Sequence, residues 1–470
     1  MKSKTTVAIL AAGLGTRMRS SKAKVLHQAA GDTLLNHVIR AAMHVASAEH
    51  IVAVIGHQSE QVMASVNTPG VLFAEQKEQN GTGHAVLCCR ELIVSRPGNL
   101  LILNGDGPLL KPETLKALVD LQEERAGGGC IISTEVADPT GYGRIVRSAS
   151  GDIAAIVEEK AATPEQRRIS EINTGVYIFD GPLFWKYIDE LKPENAAREY
   201  YLTDMVEILG RHGHSVSPML VADETELLGI NTRAELAVAD RILRNRKNHE
   251  LMLSGITIEN PDSVLIDFGV TVGLDTLIGA NVQLRGATSV GANCSIGAGS
   301  ILRDCAVGNG VNILPYVVAE NTRIGDAASI GPFARFRQSV ELGENVHIGN
   351  FVELKKTTMR SGAKANHLAY LGDSTIGSRV NVGAGTITCN YDGQNKFPTE
   401  IGDDVFVGSN STLVAPLRLG AGSYVAAGSV ITDDVDADAL ALGRGRQVNK
   451  PGWAKKRRER NRAKDGEPRK

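Results

Sequence analysis

From the N-terminus to residue 231, short apolar runs alternate with segments in which apolar residues return at helical spacing. TTVAIL, HIVAVIG, NLLILNGD, GGCIIST and NTGVYIF read as strands; TLLNHVIRAAMHVA and PETLKALVDLQEE read as helices. Strands that are apolar throughout are covered on both faces, so residues 1–231 are expected to form an α/β domain with a Rossmann-like mixed sheet. A ligand of such a sheet sits at the carboxyl ends of its strands. Residues 232–253 contain neither Gly nor Pro and place Leu236, Ala239, Leu243 and Leu251 near one helical face, which predicts a connecting helix.

Over residues 254–443 the period changes to six, with Val272, Ile278, Leu284, Val290, Ile296 and Leu302 in phase. The phase slips by one at Val307 and again at Val318. It resumes with Ile324, Ile330, Phe336, Leu342, Ile348 and Leu354, and later with Ile401, Val407, Leu413, Leu419, Val425 and Ile431. A period of six suits neither a helix nor a hairpin. It suits a three-sided parallel β-solenoid of roughly nine or ten coils, each with three short strands whose aliphatic residues point inward. The repeat breaks at KKTTMRSGAKANHLAYLGD and at TCNYDGQNKFPTE. Residues that leave the coil are where a solenoid can build a pocket.

The 50 glycines among 470 residues find their use at the solenoid corners, while 42% hydrophobic and 22% charged residues describe a globular chain. Val7 to Ala12 is too short for a secretory core, and no run is long and apolar enough to span a membrane. The six cysteines form no Cys-x-x-Cys pair and read as buried free thiols in a reducing cytoplasm. A net charge of −2 argues against a general nucleic-acid binder. Residues 444–470, with twelve Lys/Arg against three acidic residues, read as a disordered, solvated basic tail; recruitment to an anionic partner is the alternative.

The stretch LAAGLGTR follows a strand, and its glycines let backbone N–H groups approach phosphate oxygens while Arg17 and Lys24 bring positive charge. It has neither the Gly-Lys-Ser/Thr of a Walker loop nor the glycine spacing of a dinucleotide fingerprint. Asp106 ends the strand NLLILNGD and offers a hard oxygen to a metal. His367, in the first repeat break, has an imidazole suited to general-base work.

LAAGLGTR, Lys24, GTGHA at 81–85, NGD at 104–106 and the hexapeptide array together resemble one bacterial family of bifunctional enzymes. These are the N-acetylglucosamine-1-phosphate uridyltransferases / glucosamine-1-phosphate acetyltransferases. The resemblance covers all but the basic tail. It implies a nucleotidyltransferase domain followed by a left-handed parallel β-helix with acetyltransferase activity. It also implies one or two Mg²⁺ ions at the uridylyltransferase site, UTP and acetyl-CoA as substrates beside the two sugar phosphates, and a homotrimer.

Residue by residue, the resemblance gives Leu10, Ala11, Ala12, Gly13 and Lys24 to the nucleotide. It gives Gln76, Gly81 and Thr82 to uracil, and Gly143, Glu158 and Asn173 to N-acetylglucosamine. Asn231 joins Asp106 at the metal. Arg17 and Lys24 act in uridylyl transfer, and His367, inside KANHLAYLGD, acts in acetyl transfer. Arg337, Lys355, Tyr370 and Asn381 match positions that bind glucosamine-1-phosphate. Ala384, Asn390, Tyr391, Ser409, Ala427 and Arg444 match positions that bind acetyl-CoA. A competing reading is a single-activity sugar-1-phosphate nucleotidyltransferase whose β-helix serves assembly or regulation; His367, Lys355 and Asn390-Tyr391 argue against it. A non-catalytic scaffold is opposed by Arg17, Lys24 and Asp106 together.

Overall fold

A computed structural model describes residues 5–195 and 198–465; residues 466–470 of the basic tail lie outside them. The chain divides into two compact units, the first comprising residues 1–251 and 266–269, the second 252–265 and 270–470.

The first unit is built on a nine-stranded mixed sheet. Its strands are β1 (Thr5–Leu10), β2 (Ile51–Ile55), β3 (Leu72–Glu75), β4 (Asn99–Asn104), β5 (Gly129–Glu135), β6 (Arg144–Arg147), β7 (Ile153–Val157), β8 (Glu171–Asp180) and β9 (Val216–Leu220). The spatial order is β9-β5-β8-β4-β1-β2-β3, with β6 joining β8 and β7. Strands β1 to β4 run parallel to one another, and β8 runs antiparallel between β4 and β5. All five expected strands form. Alternate residues serve opposite layers: Val7, Ile9 and Leu101 pack in one cluster, Ala8, Val52 and Ile102 in the other. The helices α1 (Leu34–Ala42) and α2 (Pro112–Arg125) form where expected.

The strand order reverses between β1 and β4, whose last residues, Leu10 and Asn104, are register partners. That reversal leaves a crevice outside the strand ends. Farther on, α3 (Arg233–Leu253) buries Ala239, Leu243 and Leu251 as expected, and also Arg244 and Asn248. Arg244 is tolerated there because its guanidinium meets Asp240 at 2.9 Å and Asp267 at 2.8 Å.

In the second unit, eleven parallel strands line one side of a β-helix and a further sheet wraps the other two sides. Successive coils pair residue on residue: Ile278 with Ile296, Ile296 with Ile313, Ile313 with Ile330, Ile330 with Ile348. From Ile278 onward the expected aliphatic positions other than Val318 are buried, each contributing about 1.5–3 kcal/mol through its apolar surface. Val272, in an early coil, is only half-buried.

Three expectations are corrected. The second phase slip lies after Ala319, not at Val318. Ala319 pairs with Leu302 and is fully buried while Val318 is half-exposed, because an inward position close to its neighbours accepts a methyl group. The stretch after Leu354 does not leave the coil. Met359, Ala365, Leu371, Ile376 and Val382 continue inward, so the break is one of side-chain size and spacing and not of path. The true excursion lies before Ile401. Met359 pairs with Ile376, but Ile376 next pairs with Ile401, and the added residues form a hairpin bridged at Tyr391 and Lys396.

The basic tail is the third correction, for α4 (Trp453–Asp465) is helical and exposed as far as Arg462. Its thirteen residues contain no Gly, Pro or β-branched residue and are rich in Ala, Lys and Arg, which lose little rotamer freedom in a helix. All six cysteines are free, though Cys88 and Cys389 are only half-buried. Among the described residues no helix is long and apolar enough to cross a membrane.

Coil contact is closest at Gly349, where an added Cβ would be driven into the Asn366 carbonyl. Gly349→Ala should therefore lower unfolding stability by about 1–3 kcal/mol, as overpacking against fixed backbone does. Gly445, whose Cβ would meet nothing within 4 Å, is the control and should change stability by less than about 0.5 kcal/mol on conversion to Ala. Denaturant midpoints of both variants decide; equal midpoints would contradict the tight coil contact.

Candidate active sites

In the first unit a cleft of about 440 Å³ opens at the reversal between β1 and β4. Leu10, Ala11, Ala12, Gly13, Lys24, Gln76, Gly81, Thr82, Asp106 and Glu158 line it, bringing together residues that the chain scatters between positions 10 and 158. The two loop glycines differ in purpose. A Cβ on Gly13 would meet nothing within 4 Å, which leaves its backbone open to a ligand. Gly15 has φ 60° and a Cβ there would lie 2.6 Å from Lys24 Cβ, so it clears the path of that lysine.

The Lys24 ammonium contacts the Asp106 carboxylate and donates to Asn231 Oδ1 at 3.3 Å, while Arg17 donates to the same oxygen at 2.9 Å. Two cations, a carboxylate and an amide thus converge at the ends of β1 and β4. No cluster of three or more His, Cys, Asp or Glu able to hold a metal occurs among the described residues. Asp106 and Asn231 nevertheless direct oxygens at one positive group, Lys24. That donor set fits a hard divalent cation that takes its remaining ligands from phosphate and water.

Gln76 is buried, and its amide nitrogen donates to the Gly81 carbonyl at 3.1 Å and lies 3.2 Å from His84 Nδ1. Gly81 has φ 101°, and a Cβ there would collide with the Tyr200 backbone. Thr82 Oγ1 accepts from the Leu202 N–H at 3.1 Å. Of the three residues matched to the sugar, Glu158 lines the cleft, while Gly143 and Asn173 pack beside it without being among the lining residues. The Asn173 N–H donates to the Gly143 carbonyl at 2.8 Å, and a Cβ on Gly143 would stand 3.5 Å from Glu158 Oε1 and from Asn173 Cβ. Burial, then the nearby Asp204, pushes the Glu158 carboxyl above its ordinary value.

Sequence reasoning missed Gln79, whose side-chain amide donates to the Ala12 carbonyl at 2.7 Å and fastens the loop. It also missed the pairing of Asn104 with Gly175. The latter sits at an irregularity of β8 with φ 78°, where a Cβ would strike the Asn104 amide.

In the second unit His367 ends the strand Lys364–His367 at an exposed corner of the β-helix. Hydrogen bonds from one coil to the next continue that corner. Gly385 N–H donates to the His367 carbonyl, Asn410 N–H to Ala384 and Gly428 N–H to Ser409. His367, Ala384, Ser409 and Ala427 therefore form one column along an edge. Small side chains there leave the edge open to an extended ligand.

On the adjoining side Arg337 and Lys355 are register partners, as are Glu353 and Tyr370. Arg337 donates to Glu353 Oε1 at 3.1 Å. Lys396, carried in by the hairpin, holds the Lys355 ammonium below its ordinary value; desolvation and Arg337 add to this. Three cations thus meet where a phosphate monoester could bind. Lys396 was not foreseen, since only the excursion before Ile401 brings it there. Asn390 is buried with its amide on Asp373, Tyr391 is exposed, and Arg444 is exposed beyond the last strand. Asn381 stands apart. Its partners are Lys364 and Phe406, on the side that carries His367 and not on that of Arg337, Lys355 and Tyr370.

Residues 6–224 match the nucleotidyl transferase family model. Residues 321–356 match the bacterial transferase hexapeptide model, and 269–304 and 398–433 the hexapeptide repeat of succinyl-transferase. A solved putative glucose-1-phosphate thymidylyltransferase from Bacillus anthracis aligns at a TM-score of 0.40 and 20% identity, over 51% of this chain and 95% of that chain, too distant to bear on the argument. The bifunctional protein GlmU of Solibacter usitatus is 52% identical over 97% of both chains, and that of Koribacter versatilis is 47% identical over 97% of both. The GlmU protein of Geotalea uraniireducens is 47% identical over 96% of this chain and 98% of its own. With both halves matched and the alignments running nearly end to end, the chain belongs to the family of bifunctional GlmU proteins.

Proposed function

We propose that this chain makes UDP-N-acetylglucosamine in two steps. It transfers acetyl from acetyl-CoA to glucosamine-1-phosphate, then uridylyl from UTP to N-acetylglucosamine-1-phosphate with release of pyrophosphate. One observation carries this reading: each unit holds a distinct set of chemical groups, Arg17, Lys24, Asp106 and Asn231 in the first and His367 with Arg337, Lys355 and Lys396 in the second. A β-helix serving only assembly would need no such set.

In uridylyl transfer the attacking phosphate is already an anion, so catalysis consists of aligning two polyanions and screening their repulsion. The loop that begins at Leu10 holds the triphosphate through backbone N–H groups beyond Ala11, whose own N–H donates to the Val54 carbonyl at 2.8 Å, and Gln76, Gly81 and Thr82 hold uracil. Gly143, Glu158 and Asn173 orient the sugar so that its phosphate faces the α-phosphorus. Arg17 and Lys24 stabilise the charge that passes to the leaving pyrophosphate. When bound by Asp106 and Asn231, Mg²⁺ supplies further neutralisation there.

In acetyl transfer Arg337, Lys355, Lys396 and Tyr370 hold glucosamine-1-phosphate, and acetyl-CoA lies along the column of Ala384, Ser409 and Ala427, with Asn390, Tyr391 and Arg444 beside it. His367 takes a proton from the amine as nitrogen attacks the thioester carbonyl. The separation of Asn381 from the cations on the adjoining side supports a homotrimer, in which copies complete one another's sites. The six free cysteines support a cytoplasmic setting.

Incubation with glucosamine-1-phosphate, acetyl-CoA and UTP should yield CoA, pyrophosphate and UDP-N-acetylglucosamine, and omission of acetyl-CoA should stop pyrophosphate release. Asp106→Ala should abolish pyrophosphate release and leave CoA release intact. His367→Ala should lower CoA release by roughly 10²- to 10⁴-fold and leave pyrophosphate release from N-acetylglucosamine-1-phosphate intact. Loss of both activities in either variant would overturn the two-site reading.

Glu158→Gln tests the sugar wall. Because burial raises the native-state pKa, ionised Glu158 costs stability above that pKa and nothing below the unfolded-state value near 4.5, where both states are neutral. The variant should therefore raise the thermal midpoint at pH 7, with the gain fading toward pH 4.5, and raise the KM for N-acetylglucosamine-1-phosphate about tenfold or more. A pH-independent gain, or an unchanged KM, would contradict the assignment.

A further inference from the structure

We propose that Asn350 is a positioning residue for acetyl transfer, holding His367 in the tautomer whose Nε2 can accept the amine proton. This inference rests on the reading of His367 as the base. Asn350 and His367 are register partners on adjacent coils, and Asn350 Oδ1 lies 3.1 Å from His367 Nδ1. An amide oxygen has lone pairs and no hydrogen, so it can only accept. The imidazole Nδ1 must then carry the hydrogen, and in the neutral ring this leaves the lone pair on Nε2.

The backbone makes the arrangement specific. The Leu368 N–H donates to the Asn350 carbonyl at 3.1 Å, and Gly349 lets the two coils approach closely beside the pair. One main-chain and one side-chain hydrogen bond thus join the same two coils around an exposed ring. Without the side-chain bond the ring would populate both tautomers and several rotamers, and only part of that population could take the proton.

During the reaction the amine proton passes to Nε2 as the C–N bond forms and the C–S bond breaks, and the sulfur departs as thiolate to be protonated in turn. Nδ1–H remains bonded to Asn350 Oδ1 throughout. The bond strengthens when the ring becomes imidazolium, so it favours the protonated base that the transition state requires.

Asn350→Ala, Asn350→Leu and Asn350→Asp should be made in the full chain and assayed at saturating substrate at pH 8. The Ala and Leu variants should lose about 10- to 100-fold in kcat for CoA release, the range seen when the orienting partner of a metal-bound histidine is removed, with both KM values changed less than about twofold. Aspartate keeps an acceptor oxygen and should restore kcat to within about threefold of the parent. Pyrophosphate release should stay unchanged in all three and reports that the chain is folded; the near-isosteric Leu variant serves if Ala disrupts the coil.

Wild-type kcat in Ala or Leu, a defect confined to KM, or an Asp variant as impaired as Ala would overturn the proposal. If His367→Ala keeps its turnover, the base assignment itself fails. If that variant is inactive while Asn350→Leu is normal, only the role of Asn350 falls.

Discussion

The second unit depends on one repeated contact, the hydrogen bond from a corner N–H to the carbonyl one coil earlier. At the edge that carries His367, the donor is a residue in the left-handed region: Gly299, Tyr316, Phe333, Leu368, Gly385, Asn410 and Gly428 all have positive φ. Each such bond fixes where the next coil turns, and so which residue stands above which. Side chains far apart in sequence are thereby stacked: His367, Ala384, Ser409 and Ala427 share an edge even though the hairpin before Ile401 lengthens one coil. The left-handed conformation is costly for bulky residues. At Tyr316, Phe333 and Phe351 it is accompanied by ring stacking, with centroids 5.2 and 5.5 Å apart.

The first unit obtains its site by a different constraint. Where strand order reverses between β1 and β4, no crossover covers the strand ends, and the segments after both strands face one cleft. Lys24, Asp106 and Asn231 come from three distant segments, yet their polar groups meet. The two sites thus use two means of gathering distant residues, an edge left open by repetition and a crevice left open by topology.

What could be read in the sequence followed from how local each signal was. The five central strands and the six-residue period are local apolar patterns, and they survive in the structure because burial alone sets them. The period became illegible where the inward residue was small or polar, at Ala319, Ala365 and Thr388, since such residues occupy outward positions equally well. The strands β3, β6, β7 and β9 went unmarked because they are short or bear polar residues. Resemblance supplied most site residues. It did not supply Gln79, Lys396 or the pairing of Asn104 with Gly175, which exist through contacts between segments. The tail helix is hidden in the sequence by its dense positive charge, although its Ala, Lys and Arg residues have high helix propensity.

The central claim is that chain repetition builds a continuous edge for a long acyl donor. Hydrogen–deuterium exchange with and without CoA, resolved to short peptides, tests it most directly. Protection should appear together in the peptides around Ala384-Gly385, Ser409-Asn410 and Ala427-Gly428, and leave the strands Phe406–Val407 and Tyr424–Val425 unchanged. Protection of those strands with no change at the three corner peptides would contradict the account.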